Sequence, residues 1–196
     1  MIGCTLSFRT EPPRFQETTV HHSPLIVGLC GNPAPASKTL TLTTEVTAAL
    51  ADLFAGAATE VIDLSTHAER VLVWGDEAVA ASRDLLRSAD LLVVATPVYK
   101  GAYTGLLKAF LDGFDLGELA NVLAVPVTVA ASPAHALAGP THLEPVLREI
   151  GCLVPGGTLH VPDKIARDAD ARSVLVAEWI SVRTPMLATA GRELVR

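Results

Sequence analysis

Positive charge, sulfur and long apolar runs are all scarce in this chain, and each scarcity closes off a class of function. Its 15 Lys and Arg against 21 Asp and Glu leave a net charge of −6. No basic run is long enough to follow a nucleic-acid backbone, and an anionic membrane surface is an equally poor partner. The three cysteines, Cys4, Cys30 and Cys152, are odd in number and share no C-x-x-C spacing. They read as buried or tail thiols and suit a reducing cytoplasm. Asp and His are scattered without ligand spacing, so no metal site is expected. No apolar run reaches the length that a bilayer demands. The opening MIGCTLSFRTEPPRFQETTVHHSP lacks the basic start, apolar centre and small-residue cleavage site of a secretory signal.

What is present is a chain of 196 residues, 49% apolar, able to bury one core without staples. Residues 1–23 read as a mobile tail and 24–196 as one domain. Within it, short β-rich runs alternate with longer helical ones. PLIVGLC, TEVIDL, DLLVVATP, VLAVPVTVA and LVPGGTLHVP read as five strands. Between the first two, Leu42, Val46, Ala49, Leu50 and Leu53 share one helical face. Further helices are expected over Asp76–Ser88, Thr104–Gly113, Leu143–Ile150 and Ala171–Arg183, with Pro185 breaking or kinking the last. The pattern predicts a parallel α/β sheet with helices on both faces, a three-layer sandwich of flavodoxin-like or small Rossmann type. Ligands then bind at the carboxyl ends of the strands.

The loop after the first strand, GLCGNPAPASKTL, resembles two phosphate loops and matches neither. A Walker loop ending in Lys38-Thr39 needs glycine where Asn32 and Ser37 stand. The dinucleotide pattern G-x-G-x-x-G is absent as well, because two residues separate Gly28 from Gly31 and no third glycine follows. There remains a hydroxyl-rich turn into a helix. It suits a terminal monophosphate held by Ser37, Lys38, Thr39 and backbone N–H groups. The plainer alternative is a helix capped by Ser37.

After the third strand, TPVYKGAYTGLLKAFLD offers a rigid turn with an aromatic ring and backbone amides, suited to the edge of an isoalloxazine. An ordinary βα turn remains the alternative. This stretch resembles the signature of the NADPH-dependent FMN reductases of the flavodoxin-like fold, the reductase halves of two-component alkanesulfonate- and methanesulfonate-type monooxygenases. The resemblance covers roughly Pro24 to Pro162 and implies a five-stranded parallel sheet of order 2-1-3-4-5. It further implies that Asn32, Ser37, Lys38 and Thr39 take the FMN phosphate and that Pro97, Val98, Tyr99, Lys100 and Gly101 line the flavin. Ala130, Ala131 and Ser132 would belong to a third loop over the ring's pyrimidine end. Where the family carries arginine and two glycines, this chain has Lys38, Ala130 and Ala131. A lysine offers a point charge in place of a bidentate fork.

His135, in the third loop, is a weak candidate proton donor, since hydride chemistry on flavin needs no protein acid. Asp63 reads as a cap, and Trp74 as a residue packed in the core or an interface. The resemblance implies hydride transfer from NADPH or NADH to FMN in a cytoplasmic homodimer or tetramer that supplies reduced flavin to a monooxygenase. Two alternatives stay open: an FMN-containing reductase of quinones, azo dyes or metal oxyanions, and a non-catalytic flavin carrier.

Overall fold

The computed structural model describes residues 23–194. The expected tail, apart from Ser23, and Cys4 lie outside the described residues. Five parallel strands, β1 (Leu25–Cys30), β2 (Ala58–Asp63), β3 (Leu91–Pro97), β4 (Leu123–Ala130) and β5 (Leu159–Pro162), form one sheet of order β2-β1-β3-β4-β5. This is the doubly wound, flavodoxin-like order expected. LLVVATP and LAVPVTVA are buried along their whole length, as strands covered on both faces must be.

Among the described residues six α-helices cover the sheet: α1 (Lys38–Ala51), α2 (Glu77–Arg87), α3 (Gly105–Leu111), α4 (Glu144–Glu149), α5 (Asp163–Arg167) and α6 (Ala169–Leu194). They divide between two cores. On one face Leu42, Val46 and Leu50 of α1 meet Ile26, Val93 and Val125 together with Val176, Trp179 and Ile180 of α6. On the other, Val79 and Leu86 of α2, Leu107 and Phe110 of α3 and Leu147 of α4 pack on Val27, Leu92 and Val94. None of these helices is long and apolar enough, among the described residues, to cross a membrane.

Three elements depart from expectation. The fifth strand shrinks to Leu159–Pro162, with Leu153 reaching the sheet only through a single bridge to Leu123. Pro155, Gly156 and Gly157 interrupt it, Gly157 taking a left-handed φ of 65°. A short helix, α5, follows at once, in a stretch to which the sequence assigned no element. The last helix runs on to Leu194 with Pro185 inside it, so that proline does not break it. Buried residues on both sides, Ile180 at 7% exposure and Leu187 at 0%, hold it to the sheet. Arg183, stacked on the Trp179 ring, donates to the Gly156 carbonyl at 2.8 Å and adds a further anchor.

The register decides where a site can form. Cys30 stands opposite Asp63 and Ala95, Pro97 opposite Val129, and Ala130 opposite Pro162. The loops after β1, β3 and β4, and the start of α5 directly after β5, therefore leave the sheet at one edge.

Candidate functional site

In the first loop the expected ligand side chains are largely occupied with one another. Asn32, 5% exposed, accepts from Ala34 N–H through Oδ1 at 2.9 Å and donates from Nδ2 to Thr39 Oγ1 at 3.1 Å. Thr39 is fully buried. Ser37 is the N-cap of α1, its Oγ accepting from Leu40 N–H at 3.2 Å, so the capped-helix reading holds. Cys30 Sγ lies 3.9 Å from the same oxygen, and burial pushes its thiol pKa up. Residues 33–36 are exposed, and the backbone N–H groups of Lys38 and Thr39 find no acceptor among the described residues. Two free amides at the positive end of a 14-residue helix are suited to an anion.

Lys38 itself is ion-paired with Asp163, the first residue of α5. Asp163 also accepts from Arg167 Nε at 2.9 Å. The Lys38 and Arg167 cations hold the Asp163 carboxyl below the usual carboxylate range. Sequence reasoning missed this aspartate, though one signal pointed toward it. A lysine in the first turn of a helix faces the positive end of the dipole and needs an anion nearby.

The second loop is built from backbone. Tyr99 N–H donates to the Ala102 carbonyl at 2.9 Å, Ala102 N–H returns to the Tyr99 carbonyl at 3.2 Å, and Lys100 and Gly101 take φ values of 54° and 86°. This is the two-residue hairpin pattern with both central residues left-handed, and glycine at 101 makes it affordable. Pro97 and Val98 are buried, while Lys100 is exposed and Tyr99 is 52% exposed.

Thr104 joins the two loops. Its hydroxyl, 3% exposed with its residue, donates to the Gly31 carbonyl at 2.5 Å and accepts from Leu107 N–H at 3.2 Å as the cap of α3. Gly31 permits the approach, since a Cβ there would stand 2.8 Å from Leu107 Cβ. The third loop is tied in by Val98 N–H donating to the Val129 carbonyl at 2.8 Å and by a small apolar cluster of Val98, Ala130 and Ala138. Ala131 is exposed, and Ser132 caps a 3-10 turn, Pro133–His135, by accepting from Ala134 N–H at 3.3 Å. His135 N–H donates to the Ser132 carbonyl at 3.0 Å, and no side-chain partner for His135 is found among the described residues.

Asp63 caps the 3-10 turn Leu64–His67, as expected. Trp74 is no core residue: it is 99% exposed, beside Leu72 at 84%, in the loop after β2. A groove with residues Arg83, Ala109 and Gly113 on its far wall adjoins it.

The arrangement thus offers free helix amides and a hydroxyl for a phosphate, and beside them a rigid turn with an open tyrosine ring. These donors fit a flavin mononucleotide in kind: an anion at α1 and a flat ring at the Tyr99 turn. Residues 24–165 match the family described as NADPH-dependent FMN reductase. An FMN reductase (NADPH) of Escherichia coli is 45% identical over 62 residues, 32% of this chain and 32% of that one. The NADH-dependent FMN reductase SfnE of Pseudomonas putida is 32% identical over 126 residues, 62% of this chain and 67% of that one. The match spans about a third of the length of relatives such as the Escherichia coli protein. Among solved structures, the apo form of an NADH:FMN oxidoreductase, EMOB, has a TM-score of 0.68 at 29% identity, covering 82% of this chain and 89% of that one. An NAD(P)H:quinone oxidoreductase from Methanothermobacter marburgensis shares the fold alone, with a TM-score of 0.57 at 16% identity over 84% of this chain and 96% of that one.

Proposed function

The chain belongs to the NADPH-dependent FMN reductase family, and from that premise we propose that it binds FMN at the carboxyl edge of the sheet and passes hydride to it from NADPH or NADH. The observation that carries this reading is the junction at Thr104, which fixes the phosphate-suited loop of α1 against the Tyr99 turn. Bound FMN would supply the hydride acceptor. The chain's own task is to hold and orient. Lys38 N–H, Thr39 N–H and the Ser37 hydroxyl receive the phosphate, and Asn32 with the buried Thr39 side chain keeps the loop in shape. Pro97, Val98, Tyr99, Lys100 and Gly101 line one side of the ring, and Ala130, Ala131 and Ser132 border its far end. A second stacked ring then has its position set by the same rigid turn, which is the alignment that hydride transfer requires. His135 is left without a catalytic role.

Two finer features complete the proposal. Reduced flavin is handed to a flavin-dependent monooxygenase, a reading supported by the resemblance of TPVYKGAYTGLLKAFLD to the reductase halves of two-component monooxygenases. The working form is a homodimer or tetramer, supported by the solvent-facing Leu72, Val73 and Trp74 at 84%, 56% and 99% exposure. The test is anaerobic: purified protein with FMN is given NADPH, then NADH. Bleaching of the flavin band faster than with FMN alone is expected, and a monooxygenase in the same vessel should turn over in air. FMN that binds but is bleached by neither nucleotide would make this chain a flavin carrier.

A further inference from the structure

The lysine of the candidate phosphate loop is already engaged. Lys38 pairs with Asp163, each side chain 27% exposed, and Asp163 follows Pro162, the last residue of β5, with no linker between them. A distant part of the chain thus delivers a carboxylate to the start of α1. The pair is not needed to hold α1 in place. Glu45 of α1 already accepts from Arg172 Nε at 2.5 Å and Ser173 Oγ at 2.6 Å, and Leu42, Val46 and Leu50 are fully buried.

We propose that Asp163 is a positioning residue that sets cofactor affinity, competing with the FMN phosphate for Lys38 and thereby keeping FMN readily released. This rests on the reading of 31–39 as the phosphate loop. An arriving dianion meets a neutralised lysine with a carboxylate beside it. It must either break the pair or bind without that cation. Such a partly exposed pair is weak enough to be exchanged for a phosphate and strong enough to tax the exchange. The consequence is a dissociable flavin, which suits a protein that must hand its product on.

The experiment compares the binding of FMN and riboflavin, by quenching of flavin fluorescence at low ionic strength, in the wild type, Asp163→Asn, Asp163→Glu and the double variant Lys38→Ala with Asp163→Asn. Asp163→Asn should tighten FMN about two- to fivefold, slow its dissociation to match and leave riboflavin unmoved. Asp163→Glu should restore the wild-type value, and the gain should vanish when Lys38 is also removed. FMN affinity unchanged or weakened in a folded Asp163→Asn overturns the proposal, because the carboxylate would then be idle or would be aiming Lys38 at the phosphate. If Asp163→Asn does not fold, Arg167→Gln decides: it leaves Asp163 to Lys38 alone and should weaken FMN about twofold, and no change overturns the proposal. A wild type that binds FMN no better than riboflavin removes the phosphate-loop reading itself, whereas an FMN preference untouched in the variants removes only the role of Asp163.

Discussion

The loops after β1 and β3 lie side by side and are built on opposite plans. In the first, side chains do the internal work: Asn32 and Thr39 bond each other, Ser37 caps α1 and Lys38 is paired, while backbone amides stay open. In the second, the backbone closes on itself between Tyr99 and Ala102, and the Tyr99 and Lys100 side chains stay open. A ligand spanning both would meet main chain at one end and side chain at the other. Polar residues in a motif therefore need not be the atoms that bind. Some are spent on making other atoms available.

The contrast depends most on the residue that couples the two plans. Thr104→Val keeps the shape but orphans the buried Gly31 carbonyl and the Leu107 N–H, which should cost about 2–4 kcal/mol of stability by urea denaturation. A loss under about 0.5 kcal/mol would mean that the loops are coupled by packing rather than by this hydroxyl.

Next in size is the first loop's reliance on open amides. Aspartate caps helices as well as serine does, so Ser37→Asp should keep α1 folded while its carboxylate claims those amides and repels a phosphate. FMN binding should fall at least about 100-fold, near 2.7 kcal/mol, with riboflavin spared. Equal loss of both flavins in a folded variant would show that the phosphate is held elsewhere.

The smallest effect probes the second loop's reliance on backbone. Lys100 takes a left-handed φ of 54°, which asparagine tolerates better in such a hairpin. Lys100→Asn should raise stability by about 0.5 kcal/mol, seen as a rise of about 1–2 °C in a thermal melt. An FMN affinity that drops more than a few-fold would show that the Lys100 ammonium, and not only the turn, takes part.

Local chemistry was legible in the sequence wherever its causes are local. Alternating β-rich and helical runs foretold the sheet, Ser37 and Asp76 announced the starts of α1 and α2, and Asp63 announced its turn. The helix through Pro185 was not legible, because packing at Ile180 and Leu187 outweighs a propensity read one residue at a time. The shortened β5 follows from Pro155, Gly156 and Gly157, which were visible but were read as part of a strand. Asp163 was hidden by distance along the chain. Nothing next to Lys38 in sequence shows which anion answers it. For Trp74 the sequence left core and interface both open, because a large apolar residue is expected to be covered, and only the fold, which puts it on an exposed loop, removes the core.

The family match ends at residue 165, yet the face of α1 is sealed by what comes after it. Arg172 reaches back 127 positions to Glu45, and Val176, Trp179, Ile180 and Leu187 complete the core over Leu42, Val46 and Leu50. During synthesis, then, the amino-terminal half of the sheet leaves the ribosome with an apolar flank uncovered, and it stays so until α6 emerges. A helix made after all five of these strands finishes the support of the first loop. Ribosomes that stall shortly before α6 would present a chain with every strand and an unsealed core, the kind of surface that chaperones hold.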